Sequence, residues 1–178
     1  MRAAERLFRD HGSAKTTVGD IAREVGIGVG TVYLEFESKH AIVDALSQIW
    51  HASVLSAMRA ARADDAAMRL HCMLEARVRV LFELAAQGAH ACDFVLCKSA
   101  QAEVGHFSRE EAALLAAALD DGQRSGAFDI ADLDATSRLL QRALTAYSPP
   151  WLFAMERERA LVELQQLAEL LLNGLKRR

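Results

Sequence analysis

The sequence predicts an all-α protein, and three observations support this prediction. Of the 178 residues, 52% are hydrophobic but only 6% are aromatic. Alanine, leucine, arginine and glutamate dominate the chain, and no run of β-branched residues alternates with polar ones. The only two prolines are adjacent, at Pro149 and Pro150, so long helices are possible over most of the chain. The length is sufficient for one or two domains with a buried core.

Hydropathy and charge indicate a cytoplasmic protein. No stretch of about twenty apolar residues lacks charged side chains, which argues against a membrane span. Charged residues between Arg2 and Arg9 interrupt the start of the chain, which argues against a signal peptide. The three cysteines, Cys72, Cys92 and Cys97, are an odd number, as expected in a reducing compartment rather than in a disulfide framework.

The first forty residues predict two short helices joined by a tight turn. Apolar residues recur at the spacing of one helix face at Val18, Ile21, Ala22 and Val25. Thr17 is placed to cap this helix, and Gly26 to end it in a left-handed conformation. An inward-facing set continues with Ile27, Val32 and Phe36. The residues left outside are Thr31, Tyr33, Leu34 and Glu35. This arrangement is typical of a helix-turn-helix, whose second helix enters the DNA major groove.

The stretch from Ala3 to Lys39 resembles the N-terminal domain of TetR-type transcriptional repressors. The run G-T-V-Y-x-x-F-x-S-K, from Gly30 to Lys39, is the most specific part of the match. The resemblance implies a three-helix DNA-binding domain over residues 1–46 and a helical ligand-binding and dimerisation domain over residues 47–178. It also implies a regulator without cofactor or bound metal, which binds a palindromic operator in double-stranded DNA as a homodimer and is released by a small-molecule effector.

The same resemblance implies which residues contact DNA. Tyr33 and Lys39 match phosphate-binding positions, and Gly30 allows the backbone to approach the groove closely. The implied contacts are Thr17, Gly28, Val29, Gly30, Thr31, Tyr33, Leu34, Glu35 and Lys39. For Tyr33 a packed aromatic side chain, and for Lys39 an ordinary surface lysine, are the alternatives.

Three positions of this chain depart from the family pattern, which often has polar, basic or aromatic residues there. Val29 and Leu34 can only contact thymine methyl groups or exclude water, whereas Glu35 could accept a hydrogen bond from cytosine N4. Alternatively, Glu35 is a solvated charge that repels phosphate.

The net charge of the chain does not favour DNA binding. Residues 1–50 contain six basic and seven acidic side chains, a balance of −1, and the whole chain carries −3. Because nonspecific affinity comes from neutralising phosphates, we expect a poor nonspecific binder. The family usually begins with a basic arm, so either a segment precedes this sequence or the arm is short. A dimeric ligand-binding protein that has lost DNA binding is therefore an alternative function.

The rest of the chain predicts further helices. Ser38 caps a long helix from Lys39 to about Ala63, and Asp64 or Asp65 opens the next one, which continues to about Ala86. A break at 87–88 precedes a short helix with Phe94, Val95 and Leu96. Ser108 and Glu111 have the spacing of a capping box, which predicts a helix from Ser108 to Ser125 that stops at Gly126. The remaining predictions are a helix from Asp132 or Asp134 through Tyr147, ended by the two prolines, and a last helix from about Glu156 to Lys176.

The last helix has more apolar residues than one core face requires. They are Leu161, Leu164, Leu167, Ala168, Leu170, Leu171, Leu172 and Leu175. The resemblance implies a two-fold four-helix interface between residues 132–148 and 156–176 of two subunits, with Leu139 added to Leu161, Leu164, Leu171 and Leu175. The alternative is that one chain covers both faces of the helix.

Apolar and aromatic residues of the second domain are candidates for lining an effector pocket. They are Met68, Met73, Phe94, Phe107, Leu114, Tyr147, Trp151 and Phe153, with His71 and Arg77 as polar anchors. Such a lining would suit an apolar or aromatic effector, although the same residues would also make an ordinary core.

Two other kinds of function have less support in the sequence. A thiol or metal sensor could use Cys72, Cys92 and Cys97 with His71, His90 and His106, but Cys92 and Cys97 lack the C-x2-C spacing of a zinc site. No nucleophile elbow, phosphate-binding glycine loop or H-E-x-x-H motif is present, so the sequence does not predict an enzyme.

Overall fold

The computed structural model describes residues 1–86, 98–148 and 151–176, with side chains for all of them except residues 98–108. The regular structure within these ranges is helical. One isolated antiparallel β-bridge joins Phe128 to Lys176 in the described residues. The helices are α1 (Arg2–His11), α2 (Val18–Val25), α3 (Val29–Glu35), α4 (Lys39–Ala60), α5 (Ala66–Ala86), α6 (Lys98–Arg124), α7 (Leu133–Ala143) and α8 (Arg157–Leu175). Two 3-10 turns, Leu144–Tyr147 and Trp151–Ala154, lie between α7 and α8. The all-α prediction is confirmed.

The chain forms two compact units. The N-terminal unit contains residues Met1–Ala52 and Glu83–Val104, and the C-terminal unit contains Ser53–Phe82 and Gly105–Arg178.

The N-terminal unit has its own hydrophobic core between α1, α2, α3 and α4. Its buried residues include Phe8, Ile21, Val32, Ile42 and Leu46. The Trp50 indole, which is 5% exposed, donates a hydrogen bond of 3.1 Å from Nε1 to Glu5 Oε1. This bond links α1 to α4 and satisfies the indole N–H, as burial of a tryptophan requires.

Two residues predicted to face inward are exposed instead. Val25 is 52% and Ile27 is 42% exposed, because α2 ends at Val25 and the chain turns away from the core there.

The C-terminal unit is built around α5, α6 and α8. Fully buried side chains include Leu70, Leu74, Leu115, Leu119 and Leu164. After α6 the chain reverses at Gly126, whose φ of 77° is left-handed and therefore suits glycine. Phe128, only 2% exposed, then packs so closely on Gly122 that a Cβ atom there would collide with the ring.

Several predicted helix boundaries are confirmed by capping bonds. The Ala41 N–H donates to Ser38 Oγ, the Met68 N–H to Asp65 Oδ1 and the Ala135 N–H to Asp132 Oδ1. Glu156 caps α8, where it accepts from the N–H groups of Glu158 and Arg159.

Three boundaries were predicted wrongly. The long helix ends at Ala60 rather than Ala63, and α7 gives way to a 3-10 turn after Ala143. The predicted capping box at Ser108 does not start a helix, because α6 already begins at Lys98 and runs through this position. A Ser-x-x-Glu spacing occurs by chance inside helices, and only the backbone conformation distinguishes a cap. The predicted break at 87–88 and the short helix at Phe94 lie outside the described residues.

Candidate nucleic-acid interface

Helix α2 begins with a two-sided cap. The Asp20 N–H donates to Thr17 Oγ1 over 3.1 Å, and the Thr17 N–H donates to Asp20 Oδ2 over 2.9 Å. The Thr17 hydroxyl also donates to Asp20 Oδ2, over 2.7 Å. These bonds from Thr17, with a smaller contribution from Arg23, lower the pKa of Asp20. The hydroxyl proton of Thr17, one of the implied DNA contacts, is therefore already donated to a carboxylate.

The turn between α2 and α3 depends on Gly26. Its φ of 76° and ψ of 30° are left-handed, as predicted for a helix-ending glycine. The Ile27 N–H donates to the Ala22 carbonyl over 3.0 Å and closes the turn. Gly28 then caps α3, where its carbonyl oxygen accepts from the Thr31 N–H over 3.0 Å. The backbone hydrogen bonds of the turn between α2 and α3 are thus made with residues a few positions away.

Helix α3 divides into a buried side and an exposed side. Val32 is 7% exposed and Phe36, just after the helix, is half-buried against the same core. The exposed residues are Val29, Thr31, Tyr33, Leu34 and Glu35. Leu34 is 85% exposed, the largest value among the exposed large hydrophobic side chains of the described residues. The division agrees with the predicted inward and outward sets, apart from Ile27.

Gly30 lies on α3 in a place where packing does not require glycine. Apart from its chain neighbours and the backbone of its own helix, a Cβ atom built there would meet no atom of the described residues within 4 Å. Its φ also lies outside the left-handed range, so the backbone conformation does not require glycine either. If glycine matters at this position, the reason is therefore outside the chain.

Lys39, the first residue of α4, has an ammonium group engaged by the chain itself. Its Nζ atom donates to the Ser13 carbonyl over 2.8 Å and to the Thr16 carbonyl over 3.2 Å. Thr16 is 3% exposed, and its hydroxyl donates to the Gly12 carbonyl over 2.9 Å. An ammonium group has three donors, so one of them is free for a phosphate. Sequence reasoning missed this internal role, because no spacing rule relates Lys39 to a turn 23–26 residues earlier.

Tyr33 differs from Lys39 in this respect. It is 51% exposed, and its hydroxyl has no hydrogen-bond partner among the described residues. Tyr33 is therefore not simply a packed aromatic side chain, because about half of its surface is open to solvent.

The arginines of the helix-turn-helix region are mostly paired. Arg6 forms an ion pair with Glu24, Arg23 with Asp20 at 3.0 Å, and Arg9 lies 3.6 Å from Asp10. In the described part of this unit, Arg2, Lys15 and Lys39 have no ion-pair partner, and the Lys39 ammonium is bound to carbonyl oxygens. The guanidinium groups of Arg6, Arg9 and Arg23 therefore each have a carboxylate of the same unit beside them.

The predicted effector-binding residues differ widely in their exposure. Met73 and Tyr147 are buried, at 2% and 7% exposed, whereas Trp151 is 65% and Met68 is 52% exposed. His71, Leu114 and Phe153 are half-buried. Phe94 and the side chain of Phe107 lie outside the description. Burial, and to a smaller extent the charge of Glu163, raise the pKa of the Tyr147 phenol.

Arg77 was predicted to anchor an effector, but its side chain is used within the unit. It is 8% exposed, and its Nε donates to Glu111 Oε1 over 2.7 Å. The two terminal nitrogens donate to the Tyr147 carbonyl over 3.0 Å and to Ser148 Oγ over 2.6 Å. Arg77 therefore joins α5, α6 and the 3-10 turn after α7. His71, the other predicted anchor, lies 4.0 Å from Glu75 on its own helix.

The predicted dimerisation residues fall into two groups. Leu164 is 2% exposed, so it packs in the core of its own chain. Leu161, Leu171 and Leu175 are half-buried. Leu139 on α7 is 65% exposed, and Leu170 and Val162 on α8 are 71% and 54% exposed. A helix periodicity alone cannot tell which apolar residues face the core and which face outward.

Two further features of the described residues concern metal binding and membrane crossing. No group of three or more histidine, cysteine or acidic side chains among them is placed to bind a metal ion. Cys72 is free, and Cys92, Cys97 and His90 lie outside the description. In the same ranges no helix combines the length and apolar character that a membrane crossing needs.

The capped α2, the glycine turn and the outward face of α3 define a helix-turn-helix DNA-binding protein. Residues 1–46 match the family described as bacterial regulatory proteins, tetR family. The chain is 30% identical over 144 residues to the probable HTH-type transcriptional regulator ArpR of Pseudomonas putida, with 73% of this chain and 69% of that protein covered. It is 36% identical over 84 residues to the HTH-type transcriptional regulator TtgR, also of Pseudomonas putida, which covers 47% of this chain and 40% of TtgR.

Solved structures show the same fold over the whole chain. A transcriptional regulator from Cytophaga hutchinsonii superimposes with a TM-score of 0.78 at 21% identity, covering 99% of this chain and 96% of that one. The chain belongs to the TetR family of DNA-binding transcriptional regulators. The family and these relatives are regulators of transcription rather than enzymes.

Proposed function

We propose that the protein is a homodimeric repressor that binds a pseudopalindromic operator and is released by a small apolar or aromatic effector. The exposed face of α3, opposite the buried Val32, is the observation that carries this proposal. In this arrangement a rigid core supports a helix with a free outer face, which is what insertion into a major groove requires.

The DNA contacts are proposed in two groups. Val29, Gly30, Thr31, Leu34 and Glu35 face the bases, with Gly28 at the start of the helix. Tyr33, the third N–H of Lys39 and the start of α2 at Thr17 bind phosphates. Contacts to phosphates position the protein, and contacts to base edges supply sequence specificity.

Dimerisation is supported by the outer faces of α7 and α8. Leu139 and Leu170 are 65% and 71% exposed, although large aliphatic side chains are usually buried. Val162 lies eight residues before Leu170, within about a quarter turn of the same face of α8. We propose that a second copy covers these residues and that the two heads then reach successive major grooves, about 34–36 Å apart.

Effector binding rests on family membership and on the sulfur-containing and aromatic side chains of the C-terminal unit. Met73 and Tyr147, two of the residues predicted to line the pocket, are buried, at 2% and 7% exposed. Because Arg77 is committed to Glu111 and the turn after α7, recognition depends on apolar contact rather than on that guanidinium. The effector is therefore proposed to lack a carboxylate that needs an arginine.

Selection from a random duplex pool by the full chain tests the operator-binding proposal. We expect an inverted repeat to be enriched, with half-sites about one helical turn apart. The Arg79→Gln variant, changed at an exposed site in the C-terminal unit, should enrich the same sequence. No enriched sequence with the folded wild-type chain would contradict the proposal.

A thermal-shift screen of apolar and aromatic compounds tests the effector proposal. A compound at 100 times its Kd should add about 2.7 kcal/mol to the free energy of unfolding. The same compound should weaken operator binding. A compound that stabilises the chain without changing operator affinity would count against the switch.

A second function has a specific observation in its favour. The charge balance of −1 over residues 1–50, together with the pairing of Arg6, Arg9 and Arg23, suits a ligand-binding dimer that no longer binds DNA. The duplex selection distinguishes the two functions, because only the repressor enriches a sequence.

A further inference from the structure

We infer that the protein recognises its operator mainly through the C5-methyl groups of thymines, which Leu34 and Val29 contact in the major groove. This inference rests on the proposed binding of operator DNA and names the chemical feature of the DNA that is read.

The first observation is the exposure of two aliphatic side chains on the outer face of α3. Leu34 is 85% and Val29 is 44% exposed. Contact with an apolar group is favourable for such side chains, because it removes apolar surface from water. In the major groove, the thymine methyl is the apolar group that projects from a base edge.

The second observation is the composition of the same face. The segment from Gly28 to Phe36 reads GVGTVYLEF and contains no arginine, lysine, asparagine or glutamine. These four residue types make the paired hydrogen bonds that distinguish guanine and adenine. The hydroxyl groups of Thr31 and Tyr33 can donate or accept and therefore suit several bases, and Glu35 can accept from the amino group of cytosine or of adenine. The contacts of α3 that can favour one base over another are therefore the methyl contacts and the hydrogen bond to Glu35.

The third observation is that neighbouring cations do not compensate. The guanidinium groups of Arg6, Arg9 and Arg23 all lie beside carboxylates, and the Lys39 ammonium is bound to two carbonyl oxygens. With few free charges for phosphates, nonspecific affinity is low. Apolar contacts with the bases consequently supply a larger share of the free energy of operator binding than they do in a DNA-binding domain with a basic surface.

The test replaces thymine by uracil in the selected operator, one position at a time. Uracil lacks only the C5-methyl group and keeps the same pairing edge and charge, so each duplex isolates one methyl. We expect binding to weaken about fourfold for each contacted methyl, which corresponds to the ~0.8 kcal/mol released when one such group is buried. Substitutions in the flanking sequence should have no effect. Fluorescence anisotropy with labelled duplexes gives the dissociation constants.

Variants then assign each methyl to a side chain. Leu34→Ala should abolish the uracil penalty at one position of each half-site, and Val29→Ala should abolish it at another. Both side chains are exposed, so urea unfolding should give wild-type stability. Val25→Ala is the matched control, since Val25 is 52% exposed but belongs to α2, and it should keep every penalty.

The outcomes separate this inference from the function on which it rests. If the wild type selects no sequence, both the repressor proposal and the inference fail. If it selects an operator but every uracil duplex binds like its parent, the repressor proposal stands and methyl recognition is overturned. Penalties that persist in both Leu34→Ala and Val29→Ala would overturn the assignment to these side chains.

Discussion

The Nζ atom of Lys39 donates a hydrogen bond of 2.8 Å to the carbonyl oxygen of Ser13, which lies 26 positions earlier in the chain. A second bond, of 3.2 Å, reaches the Thr16 carbonyl. The first residue of α4 thereby holds the turn that leads into α2. Lys39 thus stabilises the DNA-binding unit and is also a candidate phosphate contact. The two roles can be distinguished, because they affect different measured quantities.

Lys39→Ala should lower both stability and operator affinity. The loss of hydrogen bonds from a charged donor should reduce the free energy of unfolding by about 2 kcal/mol in urea denaturation. If the third N–H binds a phosphate, the slope of log affinity against log salt should also become shallower by about 0.9 per head. Lys15→Ala, at an exposed lysine without an ion-pair partner, should keep full stability. An unchanged salt slope for Lys39→Ala would leave the lysine with a structural role only.

Tyr33→Phe should weaken operator binding without changing stability. The hydroxyl has no partner among the described residues, so its removal breaks no bond within them. A hydrogen bond to a charged phosphate contributes about 1.5 kcal/mol or more, so we expect a loss of about tenfold in affinity. Because a phenol carries no charge, the salt slope should stay the same. Affinity equal to that of the wild type would remove Tyr33 from the interface.

Gly30→Ala should make the protein more stable and a weaker binder. A Cβ atom meets nothing within 4 Å among the described residues beyond its chain neighbours and its own helix backbone, and alanine favours a helix over glycine by about 0.5–1 kcal/mol. The added methyl would, however, occupy the space into which a base edge must come. Gly174→Ala on α8, where a Cβ atom also meets nothing within 4 Å, should likewise raise stability and so shows the effect of the helix preference alone. Undiminished affinity in Gly30→Ala would refute close backbone approach at this position.

Arg77→Gln should be strongly destabilising. The substitution breaks bonds to Glu111, Tyr147 and Ser148, and it leaves the Glu111 carboxylate, 15% exposed, without its cation. Breaking one side of a buried ion pair typically lowers the free energy of unfolding by about 3 kcal/mol. Arg79→Gln, two residues along the same helix, loses an exposed pair with Glu75 and should change stability by about 0.5 kcal/mol at most. Equal stability of the two variants would contradict the structural role of Arg77.

Leu170→Glu and Leu139→Glu should each shift the protein from dimer to monomer in sedimentation experiments. The reason is that a buried, unpaired carboxylate is unfavourable at an apolar interface. Operator affinity should fall with the dimer, since one head alone contacts one half-site. Met68→Glu introduces the same charge at a 52% exposed position outside α7 and α8 and should remain dimeric. A dimer that survives both leucine variants would place the interface elsewhere.

The sequence predicted the parts of the site that follow from local rules. A threonine cap, a glycine that ends α2 and the outward face of α3 depend on residues within a few positions of one another. The partner of Thr17 could also have been found, because Asp20 stands at the three-residue spacing of a capping box. The same kind of rule failed at Ser108, where the spacing occurs inside α6.

The family, the all-α fold and the location of the helix-turn-helix were determined by the sequence itself, because they depend on short-range patterns and on an ordered set of residue types. Only the tertiary structure decided how individual side chains are used. It placed Arg77 in an internal network, Leu164 in the core of its own chain and the Lys39 ammonium on the carbonyl groups of Ser13 and Thr16. The physical reason is that each of these contacts joins residues distant in sequence, and the position of such partners is fixed by packing rather than by spacing.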